Sequence, residues 1–436
     1  MRSILWASVA AFSLAAGTAR AASPAGQSLT IEDAVTRALH DNPRLEAARR
    51  RLENTAETAT AAGRRMLPSV HLNEELQRYT EPFNIAFSPT MAFSVRDQTT
   101  NTFSAAANQP VLGLLRLESE RSALGENREA AEAQIAAAEA DLRETIETQF
   151  LRTFEAEAMK RIAETSAAEL SEQVTVAKAR LATGVITTAD LLRLQVAIAN
   201  ARQQALQAGG QAQASRASLF AAMGMRAGEG APPILVEPRA LLTMARSEAA
   251  ASADALLPTA HAKRPEVRQQ AHLTSSAELD ARGSGYALLP EVDLEAAYVR
   301  VDGQQFAPKN SAFVGVKAEW GIWEWGASEH RRRAALAQAA AAHRDAEGLD
   351  RQIEAEIVGA VAEGDAARGA VQAAEEAIAS AEEAFRVTEA QTKAGTATTT
   401  DLLEAQSALT QARLNLTRAE YELALTHVRL TRAVGS

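Results

Sequence analysis

The chain has 436 residues, a formal net charge of −10, 47% hydrophobic and only 4% aromatic residues, and no cysteine. The acidic balance argues against nucleic acid as a partner. Without cysteine there is no disulfide scaffold, Cys-ligated zinc, iron–sulfur cluster, thiol nucleophile or lipid-anchored N-terminal cysteine.

The N-terminus carries an export signal: a basic start at Met1-Arg2, an apolar run from Ile4 to Ala16, and small residues at Ala19-Arg20-Ala21. Residues 1–21 are therefore expected to be a cleaved signal peptide. The apolar run is shorter than the roughly 20 residues a membrane-spanning helix needs.

The rest is two copies of one unit. At an offset of 211, Gly184, Thr187, Thr188, Asp190, Leu191, Leu192 and Gln195 fall on Gly395, Thr398, Thr399, Asp401, Leu402, Leu403 and Gln406. Upstream the offset is 222, so the first copy has 11 extra residues between Pro68 and Pro110. The expected division is a first repeat over 22–224, a linker or equatorial segment over 225–263, and a second repeat over 264–436.

Each copy has the same order of elements. A helix from Pro43 to about Met66 is expected, since proline suits a first helical turn and Pro68 stops it. A strand pair follows at about 69–110 and again at about 290–323. Period-two alternation is clearest in the second copy, where Val292, Leu294, Ala296 and Tyr298 alternate with Asp293 and Glu295. The extra residues make the segment Glu81 to Asp97 a longer outward loop. A long helical hairpin then fills about 115–222 and 328–434, broken at Gly184 and Gly395. Its return helix keeps a heptad of Leu402, Leu409, Leu416, Leu423 and Leu430, the signature of coiled-coil packing.

Aromatic residues cluster at the strand ends, with Trp320, Trp323 and Trp325 within six residues. Amphipathic rings there are the girdle of a membrane barrel. Bacterial barrels have at least eight strands, and open sheet edges are not viable in lipid, so the barrel must be shared between chains. A periplasmic coiled-coil scaffold or adaptor without a pore is the alternative, but it gives no reason for amphipathic strands capped by aromatics. Enzymatic motifs are missing: the seven histidines are scattered, and there is no HExxH, GxSxG, Walker loop or dinucleotide fingerprint. No catalysis, cofactor or metal site is expected.

The opening Leu29-Thr30-Ile31-Glu32-Asp33-Ala34, with Ala38-Leu39 and Asn42-Pro43, and the two Gly-x5-Asp-Leu-Leu-x2-Gln blocks at Gly184–Gln195 and Gly395–Gln406 resemble the outer membrane efflux (TolC) family. The resemblance implies a mainly α fold with a small β part: a homotrimer whose twelve-stranded β-barrel in outer-membrane lipid continues into a periplasmic α-helical tunnel. It implies a passive conduit working with a periplasmic adaptor (membrane fusion) protein and an inner-membrane transporter. Asp401 and Glu404 would be an acidic ring at the periplasmic constriction, and Asp190 a gate-holding aspartate. Thr183, Gly184, Ala394 and Gly395 would be tips that dock the adaptor. An aromatic and an arginine latch the tip in that family; Thr392 and Ala397 stand at those positions here. Thr187 before Asp190 and Thr398 before Asp401 equally fit helix capping.

Overall fold

The computed structural model describes residues 28–88, 91–225, 233–247 and 252–435, so the expected signal peptide lies outside the described residues. The first copy begins with β1 (Ser28–Leu29) and α1 (Ile31–Asp41). The threonine and aspartate of the opening have a local role. Thr30 and Asp33 form a reciprocal capping box at the start of α1. Helix α2 (Pro43–Arg64) starts on Asn42, whose side chain accepts from Arg44 N–H at 2.8 Å, with Pro43 in the first turn.

Strands β2 (Ser69–Arg78), β3 (Phe83–Ser88) and β4 (Met91–Pro110) follow, then α3 (Gly113–Ala182) and α4 (Thr188–Ala222). Here the expectation needs correcting. The extra residues are not a loop, because β3 pairs with the first part of β4 as a hairpin that prolongs the sheet. Sequence alternation is weak there, with Thr99, Thr100, Asn101 and Thr102 in a row, so a strand of 20 residues had no clear signature.

Between the copies lie β5 (Ile234–Leu235), which pairs in parallel with β1, and helices α5 (Arg239–Ser247) and α6 (Ala253–Lys263). The second copy runs α7 (Pro265–Tyr286), β6 (Glu291–Gln304), β7 (Asn310–Glu319), α8 (Ala327–Ala394) and α9 (Thr399–Val434). At 1.5 Å per residue, the 70 residues of α3 and the 68 of α8 each extend about 100 Å. The duplication is thus present in three dimensions: helix, strands, long helix, return helix, twice.

The sheet order is β2-β4-β6-β7, antiparallel throughout. The register places Val70, Ala107, Ala296 and Val314 side by side on one face, and Leu72, Ala105, Tyr298 and Ala312 on the next row of that face. The opposite face carries the row Asn73, Ser104, Val299 and Ser311, and the pair Asp293–Lys317. One face is therefore apolar yet solvent-facing in the single chain, with Val314 85% and Leu72 71% exposed. Gly303 marks where β6 crosses a register shift in β4; at φ +89° a Cβ would stand 2.4 Å from the Thr99 carbonyl oxygen, so only glycine fits.

The core is helical and sits midway along the long hairpins. Ile146, Phe150 and Leu151 of α3 pack with Ala34 and Ala38 of α1, Leu219 of α4, and Leu423 and Leu425 of α9. The heptad is the buried seam of α9: Leu402, Leu409 and Leu423 are buried and Leu416 and Leu430 half-buried.

Beside that core lies a charged knot. Arg264, only 6% exposed, donates to Glu356 at 2.6 Å and pairs with Glu266. Arg432 donates to Asp141 at 2.5 Å and to Glu266. Burial pushes Glu266 and Glu356 up, but hydrogen bonds from Arg432 and Arg264 outweigh it and hold both below the ordinary carboxylate value. Burial instead raises Glu144, Glu147, Glu155 and Glu420. A raised carboxylate binds its proton more tightly when folded, so stability grows as pH falls through its folded value. A depressed one contributes stability above its unfolded value, about 4.3, and that stability disappears on further acidification. Thermal unfolding of the detergent-solubilised protein across pH is expected to show maximal stability on the mildly acidic side of neutral, then a fall below about pH 4. A monotonic rise in stability from acid to neutral pH would contradict these assignments.

Candidate functional site

Two places in the fold gather the expected functional residues. The first is the far end of the helical hairpins. Helix α3 ends at Ala182 with Thr183 as its C-cap, whose hydroxyl donates to the Arg180 carbonyl at 3.0 Å, and Gly184 takes φ +75°. Helix α8 ends at Ala394, and Gly395 takes φ +80°. In both turns the N–H groups after the glycine satisfy carbonyls of the last helical turn, Val185 to Arg180 and Thr396 to Gln391. A Cβ at either glycine would meet nothing within 4 Å, so both tips project into open space.

The return helices start the same way. Thr187 caps α4 with Asp190, and Thr398 caps α9 with Asp401, each as a complete capping box. Hydrogen bonds from the Thr187 side chain and backbone hold Asp190 below the ordinary aspartate value, and those from the Thr398 backbone and side chain do the same for Asp401. Both carboxylates are thus anionic at neutral pH and sit where a helix N-terminus favours negative charge. Arg193 pairs with Asp190 at 3.3 Å. Glu404, one turn beyond Asp401, is exposed. Within one chain the capping role of Asp190 and Asp401 is complete.

Thr392 contributes its backbone to the contact with α3, while its hydroxyl donates to the Thr388 carbonyl at 2.8 Å within α8. Arg180 of α3 donates through Nη1 to the Thr392 carbonyl at 3.1 Å and through Nη2 to the Lys393 carbonyl at 3.4 Å. A guanidinium on the carbonyl end of another helix satisfies orphan acceptors and opposes the dipole there. Sequence reasoning missed Arg180, because a contact to backbone atoms 212 residues away leaves no local motif.

The second place is the opposite end, where β7 feeds α8. Trp320, Trp323 and Trp325 are all exposed. Trp320 Nε1 donates to the Leu288 carbonyl at 3.3 Å, and Trp323 and Trp325 meet edge to face at 5.5 Å. Trp325 has φ 54°, a left-handed conformation that costs a bulky residue on the order of 1 kcal/mol or more. From Val292 to Tyr298 the apolar face extends about 20 Å at 3.4 Å per residue, close to the height of a barrel's lipid-facing band, with the tryptophans at its lower rim.

Among the described residues no helix is long and apolar enough to cross a membrane, and no group of His, Cys, Asp and Glu is placed to hold a metal.

Comparison with known proteins agrees with this geometry. No curated protein sequence matches significantly. Among solved structures, a membrane protein from Pseudomonas aeruginosa superposes with a TM-score of 0.81 at 17% identity, covering 93% of this chain and 92% of that one. The CusC channel does so with a TM-score of 0.80 at 16% identity over 93% and 92%. The outer membrane protein VceC from Vibrio cholerae gives 0.78 at 18% identity over 93% and 96%. The family description "Outer membrane efflux protein" matches residues 34–225 and 256–436. The chain belongs to the outer membrane efflux protein family and is an efflux channel of the outer membrane, with its helical part reaching into the periplasm.

Proposed function

We propose that three copies close one twelve-stranded barrel and that their helices enclose a tunnel through which substrates leave the periplasm without chemical change. The observation carrying this is the sheet: four main strands in a row, apolar on one face and more polar on the other, with no partner on the outer sides of β2 and β7 among the described residues. An open edge is not viable in lipid, four strands fall short of the smallest barrels, and joining β7 of one copy to β2 of the next closes the four-strand part of the sheet into one ring. The apolar face then meets outer-membrane lipid and the polar face lines the lumen.

In this arrangement residues 1–21 direct export, 22–224 and 264–436 are the repeats, and 225–263 girdles the tunnel at the level of the core. The tips at Thr183, Gly184, Ala394 and Gly395 end the tunnel in the periplasm and meet a periplasmic adaptor, which links the channel to an inner-membrane transporter. The role is that of a conduit, not an enzyme.

Three copies of Asp401 and Glu404, with Asp190 nearby, put carboxylates around the narrow end and favour cations. Replacing Asp401→Asn and Glu404→Gln together is expected to reduce the cation preference measured by reversal potential in planar bilayers under a potassium chloride gradient. Asn keeps an acceptor for the cap, so folding survives. An unchanged reversal potential would leave capping as the only role of Asp401 and remove the ring.

A further inference from the structure

A cavity of about 350 Å³ lies between the two hairpins of one chain, near the tips. That is enough for a small organic ligand. Side chains of α3, α4, α8 and α9 line it. The cavity is therefore complete within a single chain and does not depend on how copies assemble.

Its chemistry changes along its length. At the upper end stand Glu169 and, one turn along α3, Gln173. Glu169 accepts from Gln406 Nε2 at 2.6 Å and from Arg413 at 3.3 Å. Gln406, only 2% exposed, and Gln173 each bury a side-chain Oε1 that has no donor among the described residues. Buried acceptors are normally paired. Two orphan amide oxygens on either side of one carboxylate mark a place where donors are missing.

The middle of the cavity is apolar. Ala177 of α3, Leu194 of α4 and Leu402 of α9 are buried there, and Phe385 of α8 is half-buried. The lower end carries Arg180 and Lys393, and both are engaged. Arg180 donates to the helix-end carbonyls, and Lys393 pairs with Glu389 at 2.8 Å. Glu169 and Arg180 are eleven residues apart on one helix, about 16 Å. That exceeds the roughly 8–10 Å over which exposed charges interact in ordinary salt, so Arg180 does not oppose a cation at the upper end.

We propose that this cavity binds an amphipathic primary amine, its ammonium on Glu169, Gln173 and Gln406 and its hydrocarbon part against Leu194, Phe385 and Leu402. A primary ammonium carries three N–H donors, one for the carboxylate and one for each orphan amide oxygen. Bonds from a charged donor are stronger than those from a neutral one. An alcohol of the same shape brings one donor to three acceptors, and an anion meets the Glu169 charge. Water leaves the apolar middle unfilled. A bound amine touches both hairpins, so it also stabilises the fold by mass action.

The probe is naphthylmethylamine, with naphthylmethanol as its neutral counterpart. Equilibrium dialysis against the detergent-solubilised full chain, corrected for micelles alone, measures both. Saturable binding of one amine per chain is expected, about tenfold or more tighter than the alcohol, together with a rise in melting temperature. Gln173→Leu removes an acceptor and Phe385→Ala removes apolar surface. Each is expected to weaken the amine about tenfold, while the variants without probe melt close to the unchanged chain. Should one variant misfold, the other still decides. No saturable binding, equal binding of amine and alcohol, or amine binding that neither substitution alters would overturn the proposal. None of these outcomes bears on the shared barrel, because the site lies inside one chain.

Discussion

Val314→Arg is expected to abolish assembly in the outer membrane, while Ser311→Arg, three residues earlier on the same strand, leaves it intact. The register decides this. Val314 stands with Val70, Ala107 and Ala296 in the middle of the apolar face and is 85% exposed in the isolated chain, whereas Ser311 stands with Asn73, Ser104 and Val299 on the opposite face. An arginine at mid-depth on the lipid face costs about 2–4 kcal/mol per copy, and three copies multiply it. That total is comparable to the whole stability of an ordinary domain, about 5–15 kcal/mol. An arginine on the lumen side stays in water. The measurement is the amount of each variant in detergent-extracted outer membrane, and equal insertion of both would mean that this sheet face does not meet lipid.

Export is expected to fail in Gly395→Glu, and in Gly184→Glu, with the barrel still inserted. Both glycines sit at positive φ and end a helix, so any side chain strains the turn by roughly 1 kcal/mol. That strain alone is too small to unfold hairpins held by a leucine seam and the buried core. The larger effect is at the surface, because both positions face open space and a carboxylate would project into the proposed adaptor contact. Drug or dye efflux by cells producing each variant checks this against outer-membrane levels of the same protein. Full efflux at normal levels would place docking elsewhere.

Much of this fold is legible in the sequence because its physics is repetitive. The offset of 211, the heptad from Leu402 to Leu430 and the period-two run around Val292 are local patterns, and each appears where its period places it. The tip turns are legible for the same reason, since Gly184, Thr187, Gly395 and Thr398 have local backbone roles. What escaped was either locally ambiguous or long-range. The extra hairpin of β3 and the first part of β4 carries Asn84, Pro89 and Thr90 and runs into Asp97, Gln98, Thr99, Thr100, Asn101 and Thr102, a polar stretch that reads as loop. Helices α5 and α6 lie within an apparent linker, the second with Pro258 inside it. The ties of Arg180 and Glu169 join residues more than 200 apart, and only the mismatch of Arg180 with Gln391 at the repeat offset hinted at them.

A barrel shared between chains fixes the mass of the particle extracted in detergent from outer membranes, which light scattering or native mass spectrometry measures. Three chains per particle, retained in the membrane through a high-salt wash, are expected. A particle of one or two chains, or release by salt alone, would contradict it, because the edges of β2 and β7 would then have no partner in lipid.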